Sequence, residues 1–161
     1  MTQTTSTHPS NRPVRSLHLV DLENLAMDPD PSDRVLDEAL SAYHSLVPPG
    51  RADLVILSAS TRLSHRIAFH VERLGRLLPA GGGPNAADLA LLGEAPVRWV
   101  VERFDRLVIV SGDGIFSDLS DRVRRAGREV CVASWRTPLS RQLAAAASNV
   151  CILDNAYGAA A

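Results

Sequence analysis

Short apolar runs alternate along the chain with longer segments in which apolar residues recur every three or four positions. The runs have the length of β-strands and are apolar on both faces, which is typical of buried strands, whereas the longer segments are typical of amphipathic helices. The predicted strands are 17–20, 54–57, 76–78, 107–110, 130–133 and 150–153. The predicted helices are 33–46, 63–73, 85–95, a segment 97–104 after Pro96, 116–126 and 139–147.

This alternation predicts an α/β fold with a doubly wound, mainly parallel sheet sandwiched by helices, because parallel strands need helical crossovers. Ligands of such sheets lie beyond the carboxyl ends of the strands, where the strand order reverses. The residues that directly follow each strand are therefore the first place to search for function.

The length of 161 residues favours one domain. Residues 1–15 are rich in Thr, Ser, Pro and Asn without a hydrophobic pattern, so we expect a disordered N-terminal tail, a domain over 16–155 and a short C-terminal tail over 156–161. No apolar run approaches the ~20 residues of a membrane span, and the N-terminus lacks the apolar stretch of a signal peptide. A cytoplasmic protein without membrane contact is expected.

Composition excludes several kinds of chemistry. All 17 basic residues are arginine, which excludes a lysine nucleophile, a Schiff base and a Walker-type phosphate loop. The net charge of −1 means that any nucleic-acid affinity must come from local patches. Cys131 and Cys151 lie in apolar runs and are too few for a cysteine zinc site, so both are expected in the core.

Three aspartates occupy positions where a site is expected. Asp21 ends the first strand, Asp113 follows the fourth, and Asp88 lies in the first turn of the helix after the glycine loop 81–83. If strands one and four are neighbours, Asp21 and Asp113 face each other across one crevice, and a divalent cation such as Mg²⁺ or Mn²⁺ would relieve their repulsion. Each aspartate alone could also be a turn former or a favourable charge at a helix N-terminus.

The segments 20–25 (VDLENL), 87–91 (ADLAL) and 106–116 (RLVIVSGDGIF) resemble, in order and spacing, the three motifs of NYN domains. NYN domains belong to the PIN-like, FEN-related metal-dependent nucleases, and the resemblance covers about residues 16–154. It implies a ribonuclease that uses Mg²⁺ or Mn²⁺, with Asp21, Asp88 and Asp113 as catalytic, metal-binding carboxylates. It also implies that Asn24 orients Asp21 or contacts substrate, and that the Ser111 hydroxyl lies in the same pocket.

One position departs from the family pattern. Many members have a second acid two residues after the motif aspartate, and here that position is Ile115. Asp118, one helical turn further on, could replace it as a metal ligand or could simply face solvent. The missing acid keeps open one-metal catalysis and a non-catalytic relative.

Arginines supply candidate RNA contacts. Arg136 and Arg141 flank the turn after the fifth strand and are the preferred phosphate ligands. A second group falls within one sector of a helix at ~100° per residue, and its alternative is a solvated helix face. This group is Arg62, Arg66, Arg73 and Arg76.

The sequence thus predicts a metal-dependent ribonuclease that hydrolyses RNA phosphodiester bonds. The alternative is a catalytically weak or inactive module of the same fold that binds RNA or a protein. A haloacid-type phosphatase is disfavoured, because it would need Asp at the position of Glu23. The RNA sequence, endo- or exonuclease action, the number of metals and a homodimer are left open.

Overall fold

The computed structural model describes residues 13–156. Within this part of the chain a single sheet of parallel strands has the order β3-β2-β1-β4-β5-β6. The strands are β1 Ser16–Asp21, β2 Leu54–Ser60, β3 Arg76–Ala80, β4 Arg106–Val110, β5 Glu129–Ser134 and β6 Asn149–Ile152. The order reverses between β1 and β4, as a doubly wound sheet requires.

Helices cover both faces of the sheet, and each buries the apolar stripe that its sequence carries. They are α1 Leu22–Ala26, α2 Asp33–Leu46, α3 Thr61–Val71, α4 Ala86–Glu94, α5 Val97–Arg103, α6 Ser117–Arg125 and α7 Arg141–Ala146, with single 3₁₀ turns at Gly114–Phe116 and Leu153–Ala156. Buried residues of α1, α2 and α3 pack with Val20 and Val108 on one face. Those of α4, α5, α6 and α7 pack with Leu19 and Ile109 on the other.

The predicted α/β fold class is therefore confirmed, and each predicted strand is found within a few residues of its expected bounds. The pattern missed α1, because Asp21 ends a strand and caps a helix at the same time. The helix predicted over 139–147 is shorter than expected, and α3 ends at Val71 rather than at residue 73. The predicted tails fall almost entirely outside the described residues, and the domain bounds stay a prediction.

Pairing of β1 with β4 fixes where the site can form. Val20 lies opposite Val110, so both strands end at the same level of the sheet. Asp21 continues into pairing with Ser58 of β2 on the other side. The loops after β1, β2 and β4 consequently emerge next to one another at the carboxyl edge.

A buried hydrogen-bonded chain holds the opposite, amino edge together. His18 in the middle of β1 is fully buried, with the Tyr43 hydroxyl 2.6 Å from its Nδ1 and an Asp53 carboxylate oxygen 3.3 Å from its Nε2. Burial, only partly offset by Asp53, lowers the pKa of His18 to about 4, so the ring is neutral at pH 7. A hydrogen on Nε2 lets His18 donate to Asp53 and accept from Tyr43. His18 is therefore a hydrogen-bonded core residue.

Replacing Tyr43 by Phe should lower the free energy of unfolding by roughly 1–3 kcal/mol, because the buried Nδ1 of His18 loses its donor. Urea denaturation of the two proteins measures the difference. The slope of the free energy of unfolding against urea concentration should be the same in both. Phe retains the ring and its packing, so the difference reports the hydroxyl. A change below about 0.5 kcal/mol would mean that this hydrogen bond does not stabilise the fold.

Candidate active site

Asp21 is held rigidly at the end of β1. Its Oδ1 accepts hydrogen bonds of 3.1 Å from the backbone N–H groups of Glu23 and Asn24, which makes it the N-cap of α1. Only 5% of the residue is exposed. An aspartate at this position satisfies two orphan donors of the helix and turns the chain away from the sheet.

Asp88 reaches the same place from α4. The helix starts after Asn85, which has a left-handed backbone with φ of 59° and makes no side-chain cap. Asp88 in the first turn is only 6% exposed. Its Oδ1 is buried and receives no hydrogen bond from any donor between residues 13 and 156. Such an oxygen is unusual in a folded protein and calls for a proton or a ligand.

The carboxyl groups of Asp21 and Asp88 lie close enough for each to shift the pKa of the other. Two ionised carboxylates so close repel each other, which favours protonation of one of them. Burial, the charge of Asp21 and, further, the charge of Asp113 raise the pKa of Asp88 to about 8. Burial also raises the pKa of Asp21. Asp88 therefore keeps its proton at pH 7.

Asp113 stands at a separate position after β4. It is half-buried, and its Oδ1 accepts a 2.8 Å hydrogen bond from the Ile115 N–H, which caps the 3₁₀ turn Gly114–Phe116. The buried Ser111 hydroxyl accepts from the Asp113 N–H at 3.2 Å. Ser111 thus shapes the loop that carries Asp113, and Asp113 influences Asp88 through its charge.

Asn24 connects the loops after β1 and β4. Its side-chain oxygen accepts a 2.8 Å hydrogen bond from the Gly112 N–H, while its own backbone N–H donates to Asp21. Gly112 also packs against the loop after β5, where a Cβ atom would come within 2.6 Å of the Pro138 carbonyl oxygen. Only glycine fits this close approach. Asn24 therefore positions Asp21 relative to the motif around Asp113.

A small crevice of about 160 Å³ opens beside the paired aspartates. Asp21, Asp88, Glu23, Ser60 and the glycine loop 81–83 line it. Glu23, which the sequence argument did not assign to the site, accepts a 3.3 Å hydrogen bond from the Ser60 N–H. Its position two residues after Asp21, inside the first turn of α1, could have indicated that Glu23 lies near the site.

The pair of aspartates fits a hard divalent cation in part. No group of three or more His, Cys, Asp or Glu side chains within residues 13–156 is arranged so that it could hold an ion alone. Mg²⁺, however, usually takes only one or two protein carboxylates, completed by water and substrate phosphate. The Oδ1 of Asp88, which accepts no hydrogen bond from residues 13–156, and the raised pKa of its carboxyl mark a place where such a cation could replace a proton. The residues therefore suit a Mg²⁺ or Mn²⁺ site of few protein ligands rather than a closed cage.

Comparison with known families decides the relationship of the chain. The family model of the NYN domain matches residues 52–154, which include the second and third motifs with Asp88 and Asp113. The chain belongs to the NYN domain family. The first motif, with Asp21, lies before the matched region, and Asp21 lines the same crevice as Asp88 of the second motif.

A solved structure supports the fold of this NYN domain. A protein of unknown function, VPA0982, from Vibrio parahaemolyticus RIMD 2210633 superimposes with a TM-score of 0.67 and 20% identity. The match covers 92% of this chain and 98% of the other. No curated protein matches the chain.

Asp118 of the NYN domain does not join the paired aspartates. Its side chain is 81% exposed on α6 and lies 3.5 Å from the Arg122 guanidinium, one helical turn away. It borders two other cavities, with Ile115, on the outer side of α6. Asp118 therefore does not line the crevice of Asp21 and Asp88.

The arginines fall into two groups. Arg62 and Arg66 lie on α3, and both form ion pairs with Asp30. Arg136 and Arg141 are exposed beyond the carboxyl end of β5. Neither guanidinium forms an ion pair with a residue between 13 and 156. Arg73 follows the end of α3 and Arg76 begins β3, so the prediction of four arginines in one helical sector is wrong.

Trp135 is held by packing and by a hydrogen bond from its Nε1 to the Leu25 carbonyl oxygen at 2.6 Å. Its indole therefore connects the loop after β5 with α1.

Among the described helices none is both long enough and apolar enough to cross a membrane.

Metal-free protein should lose stability as the pH rises from about 4 to about 8. The folded pKa of Asp88 is raised to about 8, so the folded state binds a proton that the unfolded state, with a pKa of ~3.9, has already released. The bound proton stabilises the folded state fully below the pKa of the unfolded chain. This contribution disappears as the pH rises through the folded pKa. Urea denaturation in EDTA across this pH range measures it.

Asp88→Asn should remove most of this pH dependence, because Asn resembles the protonated acid, and should stabilise the protein at pH 8 by roughly 1–4 kcal/mol. Glu129→Gln, which removes an exposed acid at the start of β5, is the matched control. Parallel stability–pH curves for Asp88→Asn and the unmodified protein would contradict the raised pKa of Asp88.

Proposed function

We propose that this NYN domain is a metal-dependent ribonuclease that hydrolyses phosphodiester bonds of RNA at the Asp21–Asp88 crevice. The observation that carries the proposal is the buried pair of acids itself, with a carboxylate oxygen that no donor between residues 13 and 156 satisfies. A fold does not by itself imply a function. A destabilising group of this kind at the carboxyl edge, where the strand order reverses, supports one.

In this proposal Asp21 and Asp88 hold one Mg²⁺ or Mn²⁺, and Asp113 adds negative charge from the neighbouring loop. The bound cation would activate water and stabilise charge on the non-bridging oxygens of the phosphate. Asn24 and the N–H groups of α1 keep the Asp21 carboxylate in place. Ser111 holds the turn on which Asp113 lies. These contacts favour preorganisation, which limits the reorganisation that the reaction needs.

Proton exchange gives the site a natural dependence on pH. With its pKa near 8, Asp88 keeps its proton at neutral pH unless a cation displaces it. Metal binding should then release a proton and strengthen as the pH rises. Protonation of Asp88 thus prevents a double negative charge on the metal-free pair, and a cation can still bind by displacing this proton.

The second candidate function is an RNA-binding module that does not cut. Two observations favour it: Ile115 replaces the second acid of the third motif, and no group of three potential ligands meets between residues 13 and 156. Both candidates require RNA at the same edge of the sheet, so a cleavage assay separates them.

Asp113→Asn should reduce Mn²⁺-dependent cleavage of a mixed single-stranded RNA by roughly 100-fold or more, since it removes charge from the reacting centre. An Asn oxygen can still accept the Ile115 N–H hydrogen bond, so the turn and the fold should persist. Cleavage products are resolved by gel electrophoresis after addition of Mn²⁺, with circular dichroism as the test of folding.

Two further variants make this assay decisive. Asp21→Asn should be equally inactive, and Asp37→Asn on the exposed face of α2 should cleave like the unmodified protein. Undiminished cleavage by Asp113→Asn or Asp21→Asn would rule out the assigned acids. Binding of RNA without cleavage by the unmodified protein would favour the binding module instead.

Arg136 and Arg141 are the proposed phosphate contacts outside the crevice. Replacing either by Gln should weaken RNA binding and reduce the slope of log affinity against log salt by about 0.7 for each lost phosphate contact. Fluorescence anisotropy over a salt series measures both quantities. Arg51→Gln, at the amino edge of the sheet, is the control, and an unchanged slope in Arg136→Gln and Arg141→Gln would exclude the phosphate role.

A further inference from the structure

α1 is too short to hold its own position. It spans the five residues Leu22–Ala26, whereas isolated helices shorter than ~12 residues are only marginally stable in water. The same helix supplies the two backbone N–H groups that hold the Asp21 carboxylate. Whatever fixes α1 against the rest of the protein therefore also sets the position of Asp21.

Hydrogen bonds fix both ends of α1. At the amino end Asp21 is the N-cap. At the carboxyl end of any helix, the last carbonyl groups have no partner within the helix itself. Met27, with a left-handed backbone of φ 53°, donates its N–H to the Asn24 carbonyl oxygen. The Leu25 carbonyl oxygen accepts instead from the indole N–H of Trp135 at 2.6 Å.

Trp135 belongs to a ring of three hydrogen bonds at the carboxyl edge of the sheet. The Asn24 side chain connects α1 to the loop after β4, because it accepts from the Gly112 N–H at 2.8 Å. That loop is connected to the loop after β5, since the Gly112 carbonyl oxygen accepts from the Ser140 N–H at 2.8 Å. The loop after β5 returns to α1 through Trp135 and Leu25. Each of the three segments thus contacts the other two.

The ring is closely packed at Gly112. A Cβ atom there would lie 2.6 Å from the Pro138 carbonyl oxygen and 2.7 Å from the Ser134 hydroxyl oxygen. The buried Ser134 hydroxyl donates to the Trp135 carbonyl oxygen at 2.9 Å. Asp113 directly follows Gly112 in the chain, so movement of the loop after β5 would also move the backbone that carries Asp113.

The second tryptophan of the protein offers a direct comparison. Trp99 lies in α5 and is also half-buried, on the opposite face of the sheet. Its ring packs edge-on against Phe104, with the ring centroids 5.1 Å apart. Trp135 packs against the core on the face that α1, α2 and α3 cover, and in addition directs its N–H at α1. Of the two side chains, Trp135 is the one that connects the segments next to Asp21 and Asp113.

We propose that Trp135 is a positioning residue of the ribonuclease site: its indole N–H holds α1, and with it the Asp21 carboxylate, in a fixed place relative to Asp88 and Asp113. The inference rests on the proposed ribonuclease function and deepens it. In this role Trp135 needs no contact with metal or RNA, because it acts through α1 and the loop after β5. The effect can be large, since a misplacement of about 1 Å in a site can reduce a rate by ~100-fold.

Trp135→Phe tests the indole N–H, because Phe keeps an aromatic ring in the core but has no donor. The affinity of the full chain for Mn²⁺ alone is measured without RNA, from the electron paramagnetic resonance signal of free Mn²⁺. Trp135→Phe should bind Mn²⁺ roughly 10-fold more weakly, the lower end of the range for loss of a group that orients a metal ligand. At saturating Mn²⁺ its kcat for RNA cleavage should fall by at least a similar factor, with KM for RNA unchanged.

Trp99→Phe is the matched control and should change neither Mn²⁺ affinity nor kcat. A second replacement separates the N–H from the size of the ring. In the Trp99→Phe protein, Trp135 is replaced by 3-benzothienylalanine, which has sulfur in place of the indole N–H and should reproduce the losses of Trp135→Phe. Unchanged Mn²⁺ affinity and kcat in the benzothienyl protein would assign the effect to ring size and overturn the inference.

Urea denaturation shows whether each protein is folded under the assay conditions. If Trp135→Phe lowers the free energy of unfolding but leaves Mn²⁺ affinity and kcat unchanged, Trp135 only supports the core and the inference is wrong. Weaker RNA binding by Trp135→Phe in EDTA, with Mn²⁺ affinity unchanged, would identify the indole as an RNA contact and would also overturn it.

Failure of this inference is distinguishable from failure of the ribonuclease proposal. If the unmodified protein binds Mn²⁺ and cleaves RNA, and Trp135→Phe does both equally well, only the positioning role is lost. If the unmodified protein binds Mn²⁺ without cleaving RNA, the ribonuclease proposal fails and the Mn²⁺ affinity of Trp135→Phe still decides the positioning role. If it neither binds Mn²⁺ nor cleaves RNA, both proposals are overturned.

Discussion

The structure of the site depends on the parallel pairing of β1 with β4. Because Val20 lies opposite Val110, the two chains leave the sheet side by side and their loops must pack together. The hydrogen bond from the Gly112 N–H to the Asn24 side chain results from that proximity. The absence of a side chain at Gly112 then admits the loop after β5. Displacing one strand by a single residue would point every following side chain to the other face of the sheet.

The burial of Asp21 beside Asp88 lowers the stability of this arrangement. Ionisation of both acids is unfavourable without a cation, and burial and neighbouring charge raise the pKa of Asp88 to about 8. The cost is tolerated because the surrounding core, with Leu91 and Leu19 fully buried, fixes α4 against the sheet. Strain of this kind is what a binding site needs, since a ligand that relieves it binds more tightly.

The sequence alone was sufficient for the fold because the local patterns agreed with one another. Apolar runs marked the strands, and the positions of Asp21 and Asp113 after strands placed them at one edge. The contact of Asp21 with Asp88 could be expected only through the family resemblance, since it depends on how α4 crosses the sheet, which periodicity does not encode. Local spacing failed for Arg76, because it did not show that α3 ends at Val71, and it left both alternatives open for Asp118, whose side chain is exposed.

The two edges of the sheet treat buried polar groups in opposite ways, and the difference supports a ligand at one of them. At the amino edge His18, Tyr43 and Asp53 complete one another's hydrogen bonds, and Asp53 takes two further backbone donors at 2.7 Å. Although burial raises the pKa of Asp53, those donors bring it below its ordinary value. The same chain therefore can satisfy a buried aspartate with its own groups. At the carboxyl edge it does not do so for Asp88, whose Oδ1 meets no donor from residues 13–156. This difference supports the proposal that a ligand from solution, rather than a side chain of the protein, contacts this oxygen.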